Sequence, residues 1–269
     1  MRRALILVAT LAALPAGVAA QRVETGFLDR ALDDRGTPRH YQVFVPRSYD
    51  PARQWPVVLF LHGGGAQGTD GYRPTDAGIG IAIRMNPEPF PAIVVFPQVR
   101  PEHQWTGDEA EFALRTLDAA EREFNTDRDR VYLTGLSRGG RGSYYIAYRH
   151  ASRFAAILVA CGRVGPAGPR SVTNGTLWLE NSPVVPDADG DTFIALAEQL
   201  RDVPLWVFHG DEDSVIPVED SRRLIAALEA QSAPARYTEL PGVGHNAWDA
   251  AYRSAEVIEW LFAQSRPAR

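Results

Sequence analysis

The chain has 269 residues and a formal net charge of −5, and 45% of its residues are hydrophobic, enough to bury a large core as one α/β domain or two small ones. A moderately acidic chain lacks the basic surface on which nucleic-acid and anionic-membrane binding draw, so neither partner is expected. All 28 basic residues are arginine and Cys161 is the single cysteine, which excludes Schiff-base and Ser-Lys chemistry and any intramolecular disulfide.

In chain order, Met1-Arg2-Arg3, the apolar run Ala4 to Leu14 and the small residues Val18-Ala19-Ala20 predict a secretory signal peptide over residues 1–20, too short for a stable transmembrane helix. That leaves a single catalytic domain over 21–269, secreted or periplasmic, with no stable membrane insertion after signal cleavage. Extended stretches at Thr25–Leu32 and His40–Val45 flank the turn Asp33-Asp34-Arg35-Gly36 and predict an antiparallel hairpin at a sheet edge. Pro56–His62 and Ala92–Phe96 are continuous apolar runs of the kind buried on both faces of a parallel sheet. Between them a helix is expected over Thr75–Met85, stopped by Asn86-Pro87, and after them a polar loop from Gln98 to Thr106. Asp108 is positioned to cap a helix to about Phe124, with Ala113, Leu117, Ala120 and Phe124 on one face.

Strand Val131–Thr134, helix Arg141–His150 and strand Phe154–Cys161 come next; Cys161, ending an apolar run, reads as a small buried hydrophobe. The stretch from Gly162 to Gly190 is rich in Gly, Pro, Asn and Ser around Leu177-Trp178-Leu179. It has two readings, a wall of the substrate pocket or a surface insertion, and the apolar pair Trp178 and Leu179 favours the first. Asp187, Asp189, Asp191 and Glu198 match the acidic positions of a calcium loop, but Thr192 stands where that loop needs glycine, which makes Asp191 a helix N-cap. Helix Thr192–Leu200, strand Pro204–His209, helix Glu219–Ala230, strand Ala235–Leu240 and a final helix from Asn246 to Ala263 complete an alternation that implies a mostly parallel sheet with helices on both faces.

The chemistry starts at Gly135-Leu136-Ser137-Arg138-Gly139, a G-x-S-x-G pattern in the strand–turn–helix setting that exposes a serine oxygen at a helix N-terminus. Such a serine needs a base and the base needs an acid. His245, in a glycine-flanked turn after the last strand, is the expected base. His62 and His209 precede glycines at strand ends, where a structural hydrogen bond is more usual. The segment His209-Gly210-Asp211-Glu212-Asp213 offers the acid, with Asp213 the first choice and Asp211 the second. The order Ser, Asp, His is that of α/β-hydrolases. Two backbone N–H groups are expected to hold an oxyanion, those of Arg138 after the serine and of Gly64 in His62-Gly63-Gly64-Gly65.

Strand–His62-Gly-Gly-Gly, Phe96-Pro97-Gln98 with a following Trp105, Gly135-Leu-Ser-x-Gly-Gly, His209-Gly-x-x-Asp213-x-x-x-Pro217 and Gly244-His245-Asn-x-Trp248 together resemble the secreted bacterial esterases of the prolyl-oligopeptidase and dienelactone-hydrolase-like branch of the α/β-hydrolases. Feruloyl esterases and polyhydroxybutyrate-depolymerase-like enzymes are related groups. The resemblance spans nearly all of the chain after residue 20. It implies the α/β-hydrolase fold, Ser137, Asp213 and His245 as a catalytic triad, and Trp105, Arg138 and Trp248 as side chains facing a small-molecule or polymeric ester. Arg138 replaces the methionine common after this serine. Its guanidinium has two readings, recognition of an anionic substrate group or an ion pair with an acid such as Glu212. The expected activity is hydrolysis of carboxylic esters through an acyl-enzyme, with no metal or organic cofactor. A peptidase on the same triad is the alternative, and a catalytically inactive binding module a more distant one.

Overall fold

The computed structural model describes residues 23–165, 172–173, 176–177, 183–185 and 190–267. The expected signal peptide, Trp178, Leu179, Asp187 and Asp189 lie outside the described residues. The strands are β1 (Gly26–Asp34), β2 (Thr37–Val45), β3 (Trp55–Leu61), β4 (Ile93–Phe96), β5 (Thr126–Leu136), β6 (Ala156–Ala160), the short β7 (Val172–Thr173) and β8 (Thr176–Leu177), β9 (Leu205–Gly210) and β10 (Ala235–Leu240). The helices are α1 (Ile79–Met85), α2 (Gly107–Glu123), α3 (Arg138–His150), α4 (Thr192–Leu200), α5 (Val218–Ala230), α6 (Trp248–Arg253) and α7 (Ala255–Ala263). No helix among the described residues is long and apolar enough to cross a membrane.

Eight strands form one sheet in the order β1-β2-β4-β3-β5-β6-β9-β10. The β1–β2 and β2–β4 pairs are antiparallel, and every pair from β4 onward is parallel. This is the α/β-hydrolase fold with its N-terminal hairpin at one edge. Side chains alternate across the sheet as period-2 geometry requires. Val57, Leu59 and Leu61 of β3 join one core with Ala113 and Leu117 of α2, Ile146 of α3 and Leu224 of α5. Val58 and Phe60 join a second core with Ile79 and Ile83 of α1, Tyr252 of α6 and Leu261 of α7. All seven residues of β3 are buried, and each large apolar side chain so covered contributes about 1.5–3 kcal/mol.

Several boundaries differ from the expectation, each for a local reason. The Thr75–Met85 helix is a 3₁₀ turn over Arg73–Asp76 followed by α1, because Gly78 takes a positive φ of 54° between them. Asp108 does not cap α2: the helix starts at Gly107, and the Asp108 carboxylate in its first turn pairs with Arg35 at 2.9 Å. The final helix breaks into α6 and α7 at Ser254, whose hydroxyl accepts from the Val257 N–H and caps the second piece. Asp191 caps α4 by accepting from the Phe193 N–H at 2.8 Å, the cap reading of that residue.

Parts of the irregular 162–190 stretch are packed. Val164, Val184 and Val185 are buried, and the N–H groups of Val164 and Gly165 donate to Asp220 at 2.8 and 2.9 Å.

Candidate active site

Ser137 stands between β5 and α3 with φ 53° and ψ −116°, a conformation that costs a non-glycine residue about 1–3 kcal/mol. Close packing enforces it. A Cβ on Gly135 would lie 2.3 Å from the Gly139 carbonyl oxygen, and one on Gly139 would lie 1.9 Å from that of Leu61. The two glycines therefore let the turn press against β3 while the Ser137 N–H donates to the Ala160 oxygen at 2.9 Å. The serine oxygen points away from this packing, at the N-terminus of α3.

The other two expected residues arrive from the loops after β9 and β10. Those loops are stitched together: the Asp211 N–H donates to Leu240 O, the Glu212 N–H to Val243 O, and the Gly242 N–H to the Asp211 carboxylate at 2.7 Å. Within that frame His245 Nδ1 lies 2.7 Å from Asp213 Oδ2, and His245 Nε2 lies 2.8 Å from Ser137 Oγ. Asp213 accepts further N–H bonds from Val215 and Ile216 at 2.8 and 2.9 Å, and its side chain is fully buried. Burial by itself would raise the carboxyl pKa. The hydrogen bonds from His209, His245, Ile216 and Val215 outweigh it and hold Asp213 well below the usual carboxylate range. An ionised Asp213 takes the Nδ1–H of His245, which leaves Nε2 as an acceptor for the serine hydroxyl. Asp211, the second choice, is exposed and serves the backbone stitch instead.

The glycine loop after β3 is fixed from beneath. His62 is fully buried, donates through Nδ1 to Gly63 O at 2.7 Å and accepts the Val99 N–H at Nε2 at 3.1 Å. Burial pushes its pKa down to about 4, so the ring is neutral at pH 7. Gly64 opens a short 3₁₀ turn, Gly64–Ala66, and lines the same cleft as Ser137. Arg138 follows the serine as the first residue of α3.

Trp105 is 1% exposed, donates Nε1–H to His62 O at 3.0 Å and meets the His62 ring edge-on. It braces the glycine loop from beneath and is not among the residues that line the cleft at Ser137. Arg138 is 7% exposed, and its guanidinium donates to His103 O at 3.2 Å. Trp248 does border the site, its ring perpendicular to that of His245 at 5.4 Å.

Ser137 opens into a cleft of about 780 Å³ lined by Gly63–Gln67, Arg73, Asp76, Ala77, Leu136, Val215, His245 and Trp248. Val215 is 44% exposed there. Sequence reasoning missed Arg73, Asp76, Ala77 and Val215, which sit in turns with no periodic signal. It also missed that the Cys161 thiol reaches the site's edge, donating to the His245 carbonyl at 3.4 Å. Burial pushes that thiol's pKa up.

Residues 101–266 match the prolyl oligopeptidase family. The chain belongs to that family. Among its relatives in sequence are dipeptidyl-peptidase 5 of Porphyromonas gingivalis, 22% identical over 76% of this chain, and the esterase LipC of Mycobacterium tuberculosis, 25% identical over 72%. The chain spans 32% of the first relative's length and 54% of the second's. Among solved structures, a thermostable esterase superposes with a TM-score of 0.73 at 30% identity, covering 89% of this chain and 63% of the other.

Proposed function

We propose that this member of the prolyl oligopeptidase family is a secreted serine hydrolase that cleaves carboxylic esters through an acyl-enzyme. The observation that carries the reading is the continuous hydrogen-bonded chain from Ser137 Oγ through His245 to a buried, ionised Asp213. In this reading His245 takes the serine proton as Oγ attacks the ester carbonyl, and Asp213 keeps the imidazole in the accepting tautomer and steadies the imidazolium. The N–H groups of Arg138 and Gly64 hold the oxyanion. The imidazolium then gives its proton to the leaving alcohol, and water repeats the sequence on the acyl-enzyme. Each proton is moved by His245, so the cycle calls for neither a metal nor an organic cofactor.

The esterase reading is supported by the thermostable esterase, which aligns with 89% of this chain at 30% identity. The peptidase-named relative is more distant at 22%. Trp248 and the exposed Val215 offer an apolar wall for an acyl or alcohol group. Export rests on the residues 1–20 pattern, and amino-terminal sequencing of the exported protein checks it.

The direct test compares p-nitrophenyl esters with peptide anilides, using a fluorophosphonate as a label for Ser137. Esters are expected to turn over faster, and Ser137→Ala is expected to lose both labelling and several orders of magnitude in rate. Faster anilide turnover would make the chain a peptidase, and absence of labelling would make it a binding module.

A further inference from the structure

We infer that His209, set by Ser221, is a positioning residue for Asp213, so that the acid is held by two imidazoles and not by His245 alone. The inference rests on the proposed roles of Ser137, His245 and Asp213. His209 is the penultimate residue of β9 and is fully buried. Its Nε2 lies 3.0 Å from Ile216 O and 3.2 Å from Asp213 Oδ2. Both are acceptors, so Nε2 carries a proton, which bonds Ile216 O and lies beside the Asp213 carboxylate. Its Nδ1 lies 2.7 Å from the hydroxyl of Ser221, a fully buried residue of α5. In the neutral ring that nitrogen is an acceptor and the serine donates, which fixes the tautomer from the far side.

Asp213 is then faced by four N–H groups. Val215 and Ile216 bond Oδ1 and His245 bonds Oδ2, with His209 Nε2 3.2 Å from the same oxygen. Four donors match the lone-pair capacity of a carboxylate. With that capacity filled, the carboxylate has no rotation that keeps its bonds, and Oδ2 stays aimed at His245 Nδ1. Without His209, one lone pair of Oδ2 would be left in a site sealed from water, and the group would be free to pivot toward other donors. The relay would thus run Ser221, His209, Asp213, His245, Ser137, with the first two members never touching substrate. A purely architectural role predicts something different: His209 would tie the 211–217 loop to β9 through Ile216 O, and any neutral donor at that point would matter only to stability.

The test uses three variants of the whole chain. His209→Leu removes the donor, His209→Gln restores an N–H at about the place of Nε2, and Ser221→Ala releases the tautomer. Wild-type ester turnover and fluorophosphonate labelling come first, since their absence would sink the serine-hydrolase reading without bearing on His209. For His209→Leu, kcat is expected to fall about ten- to a hundredfold with KM unchanged, the size of effect expected when a charged group loses one hydrogen bond. The downfield proton resonance of the His245–Asp213 bond should move. His209→Gln should return kcat to within a few-fold of wild type, and Ser221→Ala should lose a few-fold in kcat alone. A folded His209→Leu protein with wild-type kcat and an unmoved resonance would overturn the inference. If His209→Leu does not fold, His209→Gln and Ser221→Ala decide: a loss in stability with kcat unchanged in Ser221→Ala, or a His209→Gln protein with no measurable turnover, would equally overturn it.

Discussion

Replacing Asp213 by asparagine exchanges one carboxylate oxygen for an NH₂ group and is expected to stop the reaction. The carboxylate takes backbone N–H bonds at Oδ1 from Val215 and Ile216, at 2.8 and 2.9 Å, and those donors have no rotational freedom. An amide must therefore turn its oxygen toward them and its NH₂ toward the two imidazoles. His245 Nδ1, 2.7 Å away, would then face a donor and would have to give up its proton. The proton would move to Nε2, 2.8 Å from Ser137 Oγ, where it leaves no acceptor for the serine hydroxyl. The loss in kcat is expected to be about 10⁴-fold, with residual activity from the oxyanion donors and substrate binding. The Nε2–H of His209 would also face the amide, costing about 1–3 kcal/mol of stability. Initial rates on a p-nitrophenyl ester at saturation, paired with urea unfolding, measure both. Asp211→Asn is the matched control: that side chain is exposed and accepts one backbone bond, from Gly242 at 2.7 Å, so its kcat should stay within a few-fold of wild type. An Asp213→Asn protein within tenfold of wild type, with Asp211→Asn inactive, would refute the reasoning.

His62 has a folded pKa of about 4 against an ordinary 6.5, chiefly through burial. A depressed pKa means that its contribution is whole above pH 6.5 and is lost as pH falls through 4. Wild type should therefore shed on the order of 3 kcal/mol over that window that His62→Gln does not; parallel urea-midpoint curves for the two proteins would refute this. Gly139→Ala places a methyl group 1.9 Å from the Leu61 carbonyl oxygen, a backbone atom with nowhere to go. It should cost about 3 kcal/mol or more and show as a large fall in Tm or a failure to fold. Cys161 is fully buried with its thiol pKa raised. It should resist a disulfide-exchange reagent in the native protein and react once in urea, and fast native labelling would contradict the packing around His245.

The sheet was legible in the sequence wherever a strand was apolar throughout, as at Val57–Leu61 and Ile157–Ala160. Burial on both faces leaves no polar position to confuse the reading. The expected nucleophile, acid and base drew on a different signal: each follows a strand end beside glycines, and chain order confines the acid to the stretch between Ser137 and His245, where Asp211 and Asp213 both lie. The departures come from tertiary contacts that leave no periodic trace. Gly78 splits the 75–85 helix because its φ is positive, and Ser254 divides the last helix by capping from within. The resemblance implies Trp105 as a ligand contact, yet the carbonyl that accepts its indole N–H belongs to His62, 43 positions earlier in the chain. The second partner of His209 was equally hidden, since only the folded loop brings Asp213 back over β9.

The expected base hangs from β10, which among the described residues pairs with β9 alone and forms one margin of the sheet. Five of its six residues are only half-buried and the sixth is exposed, whereas the serine follows β5, near the middle of the sheet. On warming, a margin of this kind frays at lower cost than the centre gives way. The register between His245 and Ser137 would then slip while the rest of the molecule is still intact. Turnover should accordingly fade some degrees below the calorimetric transition and return on cooling, because what has opened is one peripheral strand.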